Sequence, residues 1–169
     1  VAGLDVGIYN STAGGSVRAA GTNVSLKNVK VSNNVTLAGE YIDVAGCDAQ
    51  GGIYVAGRNV NVTGTYNGGM ILSDKVVFNG TVNGNLEIHS DAVEIGPNAV
   101  ITGQLNVYSP SNPKISESAQ VNAYEYSYAN FQSAVSHTFS GFIATITLVS
   151  KGVAFVSTIR FAIALALFV

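Results

Sequence analysis

Apolar residues recur along this chain in pairs two positions apart, each pair following a turn-forming doublet. The pairs are Val17/Ala19, Val35/Leu37, Ile53/Val55, Met70/Leu72, Leu86/Ile88 and Leu105/Val107, and their first members are 18, 18, 17, 16 and 19 residues apart. The doublets before them are Gly15-Ser16, Asn33-Asn34, Gly51-Gly52, Gly68-Gly69, Gly84-Asn85 and Gly103-Gln104. A second pair follows six or seven residues later, at Val24/Leu26, Ile42/Val44, Val60/Val62, Val76/Phe78 and Val93/Ile95. A weaker third apolar position falls near Val29/Val31, Cys47, Tyr66, Val82 and Val100. Side chains alternate across a strand, so an i, i+2 apolar pair is what a strand with one buried face requires. Three short strands per period of about 17 residues, with Gly and Asn at the corners, describe one coil of a β-solenoid. A sandwich of hairpins would need turns every 8–12 residues and no fixed register, so the repeat excludes it. The predicted fold is mainly β, a solenoid with a terminal cap strand over residues 1–128.

Two segments break the repeat. Tyr108 to Lys114 carries two prolines, which cannot donate to a ladder, and is expected to loop out of the rod. Tyr124, Tyr126 and Tyr128 follow the last repeat on one face of a strand. They read as a terminal cap, a self-association face or an interfacial aromatic belt.

Residues 129–169 lose the period and keep only Asn130, Gly141 and Gly152 of the corner residue types. They form a separate apolar tail, read as a membrane or assembly-core segment. Two apolar runs, 134–149 and 153–169, flank Ser150-Lys151-Gly152, and each is slightly short of the ~20 residues that span a bilayer as a helix. Val153, Phe155, Ile159, Phe161, Ile163, Leu165 and Leu167 are the apolar contact residues, with residues 139–169 the part directed at lipid. Arg160 is costly in lipid unless it pairs or snorkels. A helical membrane segment, a helix in a subunit interface and a strand hairpin all fit this stretch. The chain begins at Val1-Ala2-Gly3 without a basic region, which suggests a removed leader or a fragment, and its apolar end at Val169 suggests that the natural chain continues.

Composition narrows the function. Charged residues are only 11% of the 169, against the usual ~25%. The net charge of −2 excludes a strongly basic nucleic-acid binder. A single cysteine, Cys47, excludes an intramolecular disulfide framework and is read as a small buried hydrophobe. His89 follows the inward pair Leu86/Ile88 and so faces outward, and His137 lies alone in the tail. A trimeric left-handed β-helix enzyme needs an apolar residue every six positions. Stepping from Val17 lands on Asn23, Val29, Val35, Tyr41 and Cys47, and the pattern fails at once. The zinc enzymes of that fold also need three histidines, and the chain has two. No enzyme activity, metal or cofactor is expected. Five N-x-[ST] sequons, at Asn10, Asn23, Asn34, Asn61 and Asn79, are glycan acceptors outside the cytoplasm or merely good corner-plus-strand sequence.

The stretches Gly80–Ile88 (GTVNGNLEI), Val93–Gly103 (VEIGPNAVITG) and Pro113–Val121 (PKISESAQV) resemble the bactofilin-like polymer-forming proteins. Residues 15–122 fit more loosely, about two-thirds of the chain. The resemblance implies a single-stranded right-handed β-helix that polymerises end to end, with no nucleotide and no catalytic residues. Soluble bactofilins have polar tails; the apolar tail here points to the membrane-attached relatives.

The expected function is therefore a non-enzymatic scaffold that self-assembles into a filament through its solenoid ends. Leu4, Val6 and Ile8 at one end, with Val121, Tyr124, Tyr126 and Tyr128 at the other, are the candidate contacts. The partners would be other copies of the chain and membrane lipid, at a membrane or cell surface, the cytoplasmic face included. Two other classes fit: an extramembrane cap of a larger membrane protein, and a surface module binding glycans on its flank.

Overall fold

The structure, a computed structural model, describes residues 1–129. It is a parallel β-solenoid of about seven turns, with about 18 residues per turn. Its strands are β1 (Ala2–Tyr9), β2 (Thr12–Ala13), β3 (Val17–Val31), β4 (Val35–Ala49), β5 (Ile53–Tyr66), β6 (Gly69–Phe78), β7 (Thr81–Val82), β8 (Leu86–Ile95), β9 (Val100–Ser109), β10 (Lys114–Ile115) and β11 (Gln120–Tyr128). The sheet order is β1-β3-β4-β5-β6-β8-β9-β11, with every pairing parallel. Each coil thus hydrogen-bonds to the one before and the one after.

The long strands bend through a corner without losing their ladder. Gly21 pairs with Gly39 and Gly39 with Gly57 at that corner. The backbones approach so closely there that a Cβ on Gly39 would lie 2.7 Å from the Gly21 carbonyl oxygen. Only glycine fits such an approach. Further along the rod, the paired residues are Ser73 and Ser90, which replace the glycines with a buried side-chain hydrogen bond of 3.0 Å.

The core is a set of columns running along the rod. One reads Ala19, Leu37, Val55, Ile71, Ile88, Val107; a second reads Leu26, Val44, Val62, Phe78, Ile95. All of these are buried. The third face stacks Val31, Ala49, Tyr66, Val82 and Ile101, also buried. Asparagines at the corners tie neighbouring coils together: the Asn34 Oδ1 accepts from the Gly52 N–H at 2.9 Å, Asn85 Oδ1 from Gln104 N–H at 2.9 Å, and Asn79 Oδ1 from Asn98 N–H at 2.8 Å.

Three local expectations are corrected. Gly69, not Met70, pairs with Ile53, so Ile71 is the buried member and Met70 and Leu72 face outward, half-exposed. A shift of one residue turns a whole strand over, because the side-chain period is two. On the third face Ile101 is buried and Val100 is the outward neighbour. Tyr108 and Ser109 stay in β9, so the loop with the two prolines is confined to residues 110–113. The tail residues Val153, Phe155, Ile159, Phe161, Ile163, Leu165 and Leu167, and the choice between helix and strand there, lie outside the described residues.

Candidate functional site

An unpaired strand edge is a template for another strand. Among the described residues, β1 pairs along one side only, with β3, and β11 along one side only, with β9. At the β1 end, Val6 is buried over Val24, and Ile8 packs half-buried over Leu26. Leu4 is 72% exposed. It sits between the paired Gly3/Gly21 and Asp5/Asn23. The glycine corner breaks the alternation there and puts Leu4 on the outward corner that Thr22, Glu40 and Arg58 occupy in later coils.

At the other end, β11 carries its tyrosines on inward positions. Tyr124 pairs with Leu105, Tyr126 with Val107 and Tyr128 with Ser109, and all three partners are buried. The rings therefore continue two core columns and one corner past the last closed coil. Tyr126 is held over the core, its hydroxyl donating to the Ser109 carbonyl at 3.1 Å. Tyr124 and Tyr128 remain 44% and 73% exposed. Desolvation and the neighbouring Tyr126 push the Tyr124 hydroxyl above the usual phenol range. Val121 is half-buried beside them and packs on the core.

The interior chemistry is sparse. Cys47 is fully buried, and burial pushes its thiol up to about 11. Tyr66 shares a hydrogen bond with it, and burial raises the Tyr66 hydroxyl as well. That hydroxyl also donates to the Thr63 carbonyl at 2.9 Å. His89 faces outward, stacked on Tyr108 with ring centroids 4.4 Å apart and hydrogen-bonded to Glu87. Among the described residues no three of His, Cys, Asp and Glu lie close enough together to share a metal ion.

The five sequon asparagines fall into two groups. Asn34 and Asn79 are committed to backbone amides of the next coil. Asn10, Asn23 and Asn61 are exposed on strand ends and flanks. Asn10 adopts a left-handed conformation, with φ of 48°, and accepts a hydrogen bond from Asn28. Asn23 donates to Asp5.

The sequence reading missed the organisation of the outward positions. Asp5, Asn23, Tyr41, Asn59 and Lys75 form one continuous column. The next outward column reads Gly7, Ser25, Asp43, Asn61 and Val77. Their spacing, one coil from each to the next, was available in the sequence. Inward pairs announce themselves by hydropathy, however, and outward polar residues do not. Comparison of the chain with protein families, with curated proteins and with solved structures finds no match in any of the three.

Proposed function

We propose that the chain is a non-enzymatic structural protein that self-assembles by end-to-end stacking of its solenoid, in the manner of the bactofilin-like polymers. The observation that carries this reading is the pair of terminal rungs. Both β1 and β11 keep one backbone edge without a strand partner among the described residues, and β11 extends core columns with tyrosines that nothing described covers. An edge of this kind recruits a further strand unless charge or a covering element blocks it. In β11 the one charged side chain is Glu125, and in β1 it is Asp5. A head-to-tail contact between unlike ends does not close on itself, so it propagates into a filament. The apolar sequence of residues 139–169 supports attachment of that filament to a membrane or packing into the assembly core, at a membrane or cell surface.

Electron microscopy of the purified chain, with and without detergent, tests the proposal. Filaments with an axial repeat of roughly 30–40 Å, as seven coils at ~4.8 Å imply, are the expected result. Discrete particles in both conditions sink it. Particles that need detergent to stay soluble and never elongate favour the membrane-protein cap.

A further inference from the structure

Six large apolar or aromatic side chains are exposed among the described residues, and five lie on or beside the terminal strands: Val1, Leu4, Tyr9, Tyr124 and Tyr128. Tyr41 is the sixth. It lies on the interior strand β4, paired on both sides, and is 51% exposed. End stacking therefore gives no account of it.

Its surroundings are ordered by the register. Asn23 sits one coil before it and Asn59 one coil after, in the same outward column. With Ser25, Asp43 and Asn61 from the next column, these residues line a shallow groove of about 230 Å³ that runs along the rod. An exposed ring face offers an apolar platform, and planar amides offer paired donors and acceptors. Most charges around the groove have partners; Lys75, one coil beyond Asn59 in the same column, has none among the described residues. Lys27 pairs with Asp43 at 3.6 Å, and Arg58 with Glu40 at 2.9 Å and Asp74 at 3.4 Å. Asp5 accepts from Asn23. The strands beneath have both edges hydrogen-bonded, so a peptide cannot add to them as a further strand.

We propose that this groove binds a neutral, extended β-1,4-linked polysaccharide. One pyranose ring stacks its C–H face on Tyr41, and the Asn23 and Asn59 amides hydrogen-bond to hydroxyls of the units on either side. The coil spacing of ~4.8 Å is close to the advance of one pyranose unit along such a chain, so successive sugars meet successive coils. An aromatic platform with a few fixed polar groups is the usual composition of a small-ligand site. A ligand lying along the rod touches neither terminal rung, so this inference stands apart from the filament reading and does not rest on it.

The test is depletion of the full chain, made in a host without N-glycosylation and kept in detergent, by insoluble cellulose and by chitin. The wild type is expected to bind at least one polymer. Tyr41→Ala is expected to lower the affinity about tenfold or more, and Tyr41→Phe to keep it, since the ring face remains. Asn59→Ala is expected to weaken binding less than Tyr41→Ala. Tyr9→Ala, which removes an exposed ring outside the groove, is expected to bind as the wild type does. Circular dichroism of each variant checks the β signal, and Tyr41 is exposed enough for its removal to leave the fold intact. No depletion of the wild type by either polymer overturns the proposal, as does equal binding by Tyr41→Ala.

Discussion

The coils up to Val62 and those from Gly69 onward hold the same ladder by different means. Between β1, β3, β4 and the first part of β5 the register advances by a constant step, from Val6 to Val24 to Ile42 to Val60. The step then shortens, from Val60 to Val76 and from Val76 to Val93, and lengthens between β8 and β9, from Leu86 to Leu105. The constant part has glycine at the same corner in successive coils. The variable part has Ser73 and Ser90 there, and the column of Leu26, Val44 and Val62 passes to Phe78. A corner that admits only glycine leaves each coil no freedom over where it turns. The change of length itself lies at the other corners: the step is already one residue shorter where Cys47 pairs with Gly64, ahead of the serines, and larger inward residues such as Phe78 fill the variable coils. Stability in such a stack is close to a sum of coil and interface terms, so each device can be challenged separately.

The largest effect is expected at the filler of the variable coils. Phe78→Ala removes a fully buried ring and should cost about 4 kcal/mol in urea unfolding, more than Val44→Ala in the same column. Equal losses at the two positions would erase the distinction between the regions. Next comes the corner. Gly39→Val forces a side chain against the Gly21 carbonyl and should cost about 3 kcal/mol, whereas Ser90→Gly should cost much less. Hydrogen exchange should localise the Gly39→Val damage to β3, β4 and β5.

Alkaline pH probes the junction, where Cys47 and Tyr66 meet. The folded thiol ionises at about 11 against an ordinary 9.0, so the folded state holds its proton where the unfolded chain has lost it. Stability is full below pH 9 and falls as pH rises toward 11, by about 2 kcal/mol from the thiol alone. The raised Tyr66 hydroxyl steepens the fall above pH 10. Denaturant midpoints between pH 8 and 11 check this, and Cys47→Ala should flatten the slope from pH 9 to 10. Smaller still is the serine pair. A double-mutant cycle of Ser73→Ala and Ser90→Ala should give a coupling of about 1 kcal/mol. The smallest effect belongs to Arg58→Ala, whose half-exposed ion pairs should contribute under about 1 kcal/mol and fade in high salt.

The same contrast explains what the sequence made legible. Val17/Ala19, Val35/Leu37 and Ile53/Val55 stand alone between polar or small residues, so their phase is unambiguous, and all are buried. Leu86/Ile88 and Leu105/Val107 are equally clear and are buried too. The phase failed at Gly68-Gly69-Met70-Ile71-Leu72, where three consecutive apolar residues follow two glycines and either alternation fits. What decided it was the backbone. A glycine is needed under the Ile53 carbonyl, since a Cβ at Gly69 would lie 2.3 Å from that oxygen. Val100 and Ile101 are a similar adjacent pair. Of the candidate surfaces, the β11 rung could be read from the sequence as the place where the repeat gives way to the three tyrosines. The Tyr41 groove could not, because it exists only once successive coils are laid side by side.

The glycine corner has one more consequence, which concerns length. Where the register is constant, the top of a coil and its underside present the same row of backbone groups at the same places. A duplicate of one whole coil, such as 35–52, would slot between its neighbours and leave both ends of the rod as they were. Each copy would move those ends apart by ~4.8 Å. The region up to Val62 is thus graduated like a ruler, and a lineage could adjust its reach by whole marks without redesigning either tip.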